Sequence, residues 1–178
     1  MSSPVLRLLV LGLFAFTGTC AIAADEPAQP VQPAQPSTWG WTETIKLMPE
    51  ETALKARLDT GAQTSTMDAR NITRIKKNNE RWVQYDVMVT DPATGKELRL
   101  PFERKIERVL KFHSANGVER SPVVLMDVCL GNKVYREQFS LRDRQAQEFP
   151  VLLGRRSLEH MGTVDSSKTQ TLAPSCKP

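Results

Sequence analysis

The chain is poor in cysteine, with three in 178 residues, at positions 20, 129 and 176. That scarcity excludes a disulfide-dense scaffold and any cysteine-rich zinc module. Histidine is scarcer still. His113 and His160 stand far apart and neither belongs to a His-Glu-x-x-His motif, whereas a catalytic zinc site wants about three His, Cys, Asp or Glu ligands. A phosphate-binding loop is also missing: Thr94-Gly95-Lys96-Glu97 lacks the Ser or Thr after Lys96, and Thr90 occupies the place of the first glycine. No Gly-x-Ser-x-Gly occurs, and neither Cys129 nor Cys176 has a nucleophile's local signature. Charge of one sign is in slight excess only, 24 Lys and Arg against 20 Asp and Glu, short of a nucleic-acid footprint. Zinc, ATP and nucleic acid are therefore not expected as cofactors or partners.

What is present suits one core, with 40% apolar residues and too little Gly and Pro for a low-complexity chain. Residues 1–24 read as a signal peptide. Arg7 is the sole charge before Asp25, and Leu8 to Phe16 carries no polar side chain but is too short for a membrane span. Ala21-Ile22-Ala23 offers small residues where a signal peptidase reads, placing cleavage after Ala23 or Ala24. A lipid anchor on Cys20 competes with this reading, although Thr17-Gly18-Thr19 matches such a signal poorly. The mature chain is thus expected to be periplasmic or secreted. Residues 25–38 form a linker with proline at 27, 30, 33 and 36, a period that favours an extended polyproline II tether. The folded domain is expected over 39–178.

From Trp39 onward the pattern is that of short strands. Ala53 to Leu58 alternates apolar and basic residues, and Trp82 to Thr90 alternates likewise. Asp91 to Gly95 is a turn leading into Leu98 to Phe102. Lys105 to His113 and Ser121 to Leu130 are parted by Asn116-Gly117, and Gly131-Asn132 returns Lys133 to Leu141 antiparallel. Only Arg155 to Met161 looks helical. Frequent strands without long helices predict an all-β barrel or sandwich. The basic stretch of Arg70, Arg74, Lys76, Lys77 and Arg81, broken by Asn78-Asn79, reads as an exposed hairpin. Trp39 and Trp41 read as covers over an open end of the fold.

One loop carries chemistry. The strand ending at Leu58 runs into Asp59-Thr60-Gly61-Ala62-Gln63-Thr64-Ser65. A carboxylate leaving an apolar strand ahead of Thr-Gly is the requirement of an aspartic-peptidase loop. Gly61 permits close backbone approach and can offer its N–H to the carboxylate, while Thr60 can hold the loop. The alternative is that Asp59 merely caps a β-turn. About ninety residues on, Val151-Leu152-Leu153-Gly154-Arg155 is a short apolar strand, then glycine, then arginine opening a helical turn. Elements paired in that order are far more specific than either alone.

These residues resemble the catalytic and buttressing segments of retroviral aspartic proteases. A closer resemblance is to a bacterial retropepsin-like aspartic peptidase family often labelled ATP-dependent zinc proteases. The similarity runs through Ala56 to Ser65, Val118 to Val124, Leu141-Arg142-Asp143-Arg144 and Phe149 to Arg156. It implies a closed acid-protease barrel with one short C-terminal helix. Asp59 would be catalytic, Thr60, Gly61, Ala62 and Thr64 would support its loop, and Leu152, Leu153, Gly154 and Arg155 would buttress it. The family's company implies peptide or glutamate-modified substrates and association with ATP-grasp or transglutaminase-like proteins.

An aspartic peptidase needs two carboxylates about 3 Å apart sharing one proton. The chain has a single Asp-Thr-Gly, since Asp165-Ser166-Ser167 lacks the glycine, so activity would require a homodimer joining two copies of Asp59. Two departures from the retroviral pattern stand out. Gln63 replaces the acid that usually pairs with the arginine after the buttress glycine, leaving Asp68, Glu148 or Glu159 as candidate partners for Arg155. The expected flap region, Arg81 to Arg120, contains only Gly95 and Gly117. A binding or sensing module without turnover, acting with a periplasmic or membrane partner, is the competing functional reading. Cys129, in an apolar strand, and Cys176 are a candidate disulfide in an oxidising compartment if their Cα atoms come within reach.

Overall fold

The computed structural model describes residues 38–90, 94–114 and 117–177. The signal peptide, the lipid-anchor alternative at Cys20 and the proline tether up to residue 37 lie outside them, as do residues 91–93 of the predicted turn and Asn116 of the Asn-Gly hairpin. The domain's first strand starts at Thr38, one residue ahead of the expected boundary.

Eleven strands and one helix follow in chain order: β1 Thr38–Met48, β2 Thr52–Asp59, β3 Ser65–Asp68, β4 Arg70–Lys77, β5 Glu80–Thr90, β6 Glu97–Lys105, β7 Arg108–Ser114, β8 Gly117–Leu130, β9 Lys133–Arg142, β10 Val151–Gly154, α1 Arg155–Met161 and β11 Thr163–Thr169. The fold is thus all-β with one short helix. Eight strands pair in the order β11-β1-β2-β10-β3-β9-β8-β7, and β1 also pairs with β8, so the hydrogen-bonded order from β1 through β9 to β8 returns to β1. A second sheet, β4-β5-β6, is antiparallel throughout.

Period-two patterning decides which faces turn inward. In β2, Leu54, Ala56 and Leu58 are buried while Lys55 and Arg57 point away. In β5, Val83, Tyr85 and Val87 turn inward, and Tyr85 stacks on Phe102 of β6 with ring centroids 5.6 Å apart. These residues share one cluster with Ile45, Met67, Val124, Phe139 and Leu153, so the two sheets are joined by a common core. Each large side chain removed from water there contributes roughly 1.5–3 kcal/mol.

Four strands escape the sequence pattern, each for a physical reason. All of β3 is buried, so it shows no alternation. β4 buries no residue fully and carries the basic stretch; it still forms the expected hairpin with β5, because Asn78 and Asn79 take left-handed φ values of 51° and 61°. β11 is polar and largely exposed. β1 is interrupted by a bulge against β11 between Gly40 and Thr42, which changes the face of the intervening residue. The two tryptophans therefore do not share the covering role predicted for them. Trp39 is fully buried, its indole N–H donating to the Met161 carbonyl at 2.8 Å, whereas Trp41 is exposed and meets Phe149 edge-on. Gly40 admits no side chain, since a Cβ would lie 2.5 Å from the Lys168 carbonyl oxygen.

The C-terminal segment is strapped to β1. Glu43 is fully buried and accepts hydrogen bonds from Gly40 N–H at 2.7 Å, from the Thr171 hydroxyl at 2.6 Å and from Thr171 N–H at 2.9 Å. Gln170 N–H donates to the Thr42 carbonyl, and Cys129 is disulfide-bonded to Cys176. Replacing Glu43 with leucine leaves buried donors unmade, each costing about 1–3 kcal/mol. We expect Glu43→Leu to lower the unfolding free energy by about 3 kcal/mol in urea titration. A midpoint unchanged from wild type would refute this role.

Candidate active site

The site grows out of β10. This four-residue strand is buried throughout, runs parallel to β2 and antiparallel to β3, and sets Gly154 opposite Asp59. The segment joining β2 to β3 must therefore cross the C-terminal end of β10, and it does so in van der Waals contact. A Cβ on Gly154 would sit 2.7 Å from the Thr64 carbonyl carbon and 3.0 Å from the Ala62 oxygen. The contact continues into α1, where Arg155 N–H donates to the Ala62 carbonyl at 2.8 Å and Arg156 N–H to the Gln63 carbonyl at 3.3 Å. Two of the N–H groups that a helix start leaves without intrahelical partners are thus used to hold the loop.

Asp59 sits at the loop's entrance with its side chain one-quarter exposed. Its Oδ1 accepts Gly61 N–H at 2.9 Å and Ala62 N–H at 3.2 Å. Its Oδ2 accepts the Arg57 guanidinium at 2.6 Å. Partial burial pushes this carboxyl's pKa up, but the hydrogen bonds from Gly61, Arg57 and Ala62, with the charge of Arg57, outweigh burial and hold it below the usual carboxylate value. A shallow depression of about 530 Å³ opens in front, walled by Trp41, Arg57, Thr60, Val164 and Ser166. Thr60 is exposed there and Thr64 is half-buried. Leu152 and Leu153 lie beneath in β10. The structure thus gathers Asp59, the loop residues and the β10 segment, while Cys129 and Cys176 belong to the C-terminal strap.

Arg155 donates its backbone N–H, and among the described residues no carboxylate forms an ion pair with its side chain. Of the candidate partners, Asp68 is committed elsewhere: it pairs with Arg70 at 2.8 Å and accepts Arg144 N–H at 2.6 Å. Arg57 was not singled out from sequence, although a signal existed. Residues i and i+2 of a strand share a face, so Arg57 and Asp59 had to point the same way. Arg144 was missed too. Burial, then the charges of Arg57 and Arg142, push its pKa down, against the pull of Asp68 and Asp59. Nothing in sequence spacing links residues 57 and 144. His113 is exposed on β7, and His160 is hydrogen-bonded to Glu137; among the described residues no three His, Cys, Asp or Glu side chains gather as a metal-ligand set.

Two outcomes follow from this geometry. A carboxyl depressed in the folded state stabilises the fold above its unfolded value, and that contribution is lost as pH falls through the folded value. Removing the guanidinium in Arg57→Gln should move the Asp59 titration upward, read from its side-chain carboxyl carbon by NMR; an unmoved titration would show that Arg57 does not set it. Gly154→Ala should destabilise the domain by about 1–3 kcal/mol, because the methyl meets backbone that has no room to withdraw. Wild-type thermal stability in that variant would contradict the steric account.

Comparison with known proteins places this geometry. Residues 38–174 match the family model described as "Retropepsin-like aspartic endopeptidase RimB". A protein from Shewanella halifaxensis named "Probable alpha-L-glutamate ligase" is 30% identical over 118 residues, covering 66% of this chain and 25% of that protein. One of the same name from Desulfotalea psychrophila is 34% identical over 108 residues, covering 60% and 23%. The matched part of the chain thus spans about a quarter of these curated relatives. The crystal structure of Lpg0085, a protein of unknown function from Legionella pneumophila, superposes with a TM-score of 0.65 at 31% identity, covering 76% of this chain and 97% of that one. The match over nearly the whole described domain establishes that the chain belongs to the RimB-like family of retropepsin-like aspartic endopeptidases.

Proposed function

We propose that this protein is an exported aspartic endopeptidase whose reacting dyad joins Asp59 of two identical subunits, each with its strand order closed as a barrel. The observation that carries this reading is the Asp59 carboxylate. One oxygen is fixed by two loop N–H groups and the other is paired with Arg57, the side chain is one-quarter exposed, and its loop is backed by Gly154. In such a dyad one carboxylate takes a proton from water as the oxygen attacks the scissile carbonyl. The other, holding the shared proton, hydrogen-bonds to that carbonyl oxygen; the amide nitrogen then leaves protonated. No cofactor is needed for these steps. Arg57 must release Oδ2 before the second carboxylate can approach. The intrachain disulfide supports an oxidising compartment, in keeping with the signal peptide read from sequence.

Acidic peptides, including glutamate-modified ones, are the proposed substrates. Arg57 walls the depression at Asp59 and Arg144 feels the charges of both Arg57 and Asp59, so an acidic chain laid there would meet positive charge. Association with ATP-grasp or transglutaminase-like proteins is part of the proposal, and the relatives' name, "Probable alpha-L-glutamate ligase", is in keeping with a glutamate-containing substrate. One observation favours a second reading, a binding module without turnover: the Arg57 ion pair occupies the oxygen that a general base needs.

Cleavage of glutamate-rich and lysine-rich peptide pools between pH 4 and 7, with sedimentation to follow association, tests the proposal. Wild type should cut the acidic pool preferentially as a dimer, and Asp59→Asn should lose at least about 10³-fold in rate. Activity retained in Asp59→Asn would refute the mechanism. Absence of turnover by a wild-type dimer on either pool would leave the binding module.

A further inference from the structure

Beneath the loop lies a line of buried polar groups that the chemistry above does not use. Gly154 N–H donates to the Ser65 hydroxyl at 3.0 Å. Ser65 and Ser157 hydroxyls lie 2.8 Å apart, and Ser157 donates to Glu137 Oε2 at 2.8 Å. The second Glu137 oxygen is hydrogen-bonded to His160 Nε2 at the surface. Ser65, Ser157 and Glu137 are all buried, and they come from β3, α1 and β9.

The direction of this line is fixed by counting protons. A hydroxyl has one hydrogen to give. Ser157 gives its own to Glu137, so in the bond between the serines Ser65 must be the donor. Ser65 is then left to accept from Gly154. Every bond from Gly154 to Glu137 points the same way and ends on an acceptor, and hydrogen bonds so aligned polarise and strengthen one another in a low-dielectric interior. Gly154 is also the residue against which the Ala62 and Thr64 carbonyl groups pack, and Ala62 in turn donates to Asp59.

We infer that Glu137, Ser157 and Ser65 form a positioning relay that orients the Gly154 peptide and, through it, the donors that hold Asp59. None of the three touches the carboxylate; their influence passes through backbone geometry. This deepens the peptidase reading and rests on it for kinetics alone, because the orientation of the Gly154 amide can be measured without any substrate.

The test is amide hydrogen exchange by NMR on the whole folded domain, with peptide hydrolysis alongside. Ser65→Ala removes the acceptor and should speed Gly154 exchange directly. The informative variant is Ser157→Ala, which does not touch Gly154. It should accelerate exchange at Gly154 and Ala62 by about tenfold, with amides of β5 and β8 unchanged, and lower kcat up to about 10²-fold at constant KM, as a displaced reacting group does. Glu137→Leu should reproduce Ser157→Ala, and Glu137→Gln, which still accepts from Ser157, should restore most of the protection. Unchanged Gly154 exchange in Ser157→Ala would overturn the relay, as would a loss spread evenly over all amides, which would mark a purely structural serine. Local loss of protection in a protein whose wild type shows no turnover would sustain the relay while removing the peptidase reading.

Discussion

The site depends on the absence of a side chain at position 154. Three strands must come together for Asp59 to stand at the end of β2 with its loop folded back. β10 supplies the middle one, and its last residue lies directly under the carbonyl groups of Ala62 and Thr64. Only hydrogen fits there. Because the loop rests on backbone and not on a side chain, it has little freedom to shift, and the first N–H groups of α1 complete its hydrogen bonding. The two donors on Asp59 Oδ1 come from the same loop, whose Ala62 carbonyl rests on Gly154 while its N–H meets the carboxylate.

That dependence explains what could be read from the amino-acid order and what could not. Asp59-Thr60-Gly61 and Leu152-Leu153-Gly154 were legible because each packs a chemical requirement into consecutive residues. β2 and β5 were legible because one face of each is buried and the other is not, and β8 and β9 because Asn116-Gly117 and Gly131-Asn132 mark the turns before them. β3 was illegible because it is buried on both faces, and β1 because the bulge at Trp41 breaks its alternation and a buried Glu43 sits where an apolar residue would be read. The relay partners were hidden for a different reason. Ser65, Glu137 and Ser157 acquire meaning only when β3, β9 and α1 meet, and an isolated serine or glutamate carries no periodic mark. Arg57 lay between these cases: its face was given by strand geometry, but its partner was evident only once Asp59 was seen to turn toward it.

The same loop holds two demands that pull apart. Stability of a lone chain is served by a charged Asp59, since Arg57 and two N–H donors all favour the ionised form. Acid–base chemistry in a dyad requires the opposite at one of two carboxylates, because like charges about 3 Å apart cannot both persist. The strength of the Arg57 pair decides whether these states can interchange. Its side chains are 40% and 25% exposed, so solvent screens the attraction. Exposed pairs of this kind are worth about 0.2–1 kcal/mol, even when the contact is short. The N–H bonds to Oδ1 are made by the loop's own backbone and do not involve Arg57, so turning the guanidinium aside removes only the screened pair at Oδ2. An architecture that fixes one oxygen by backbone and leaves the other to a half-exposed arginine keeps Asp59 in place while leaving its second oxygen within reach of whatever approaches from the depression.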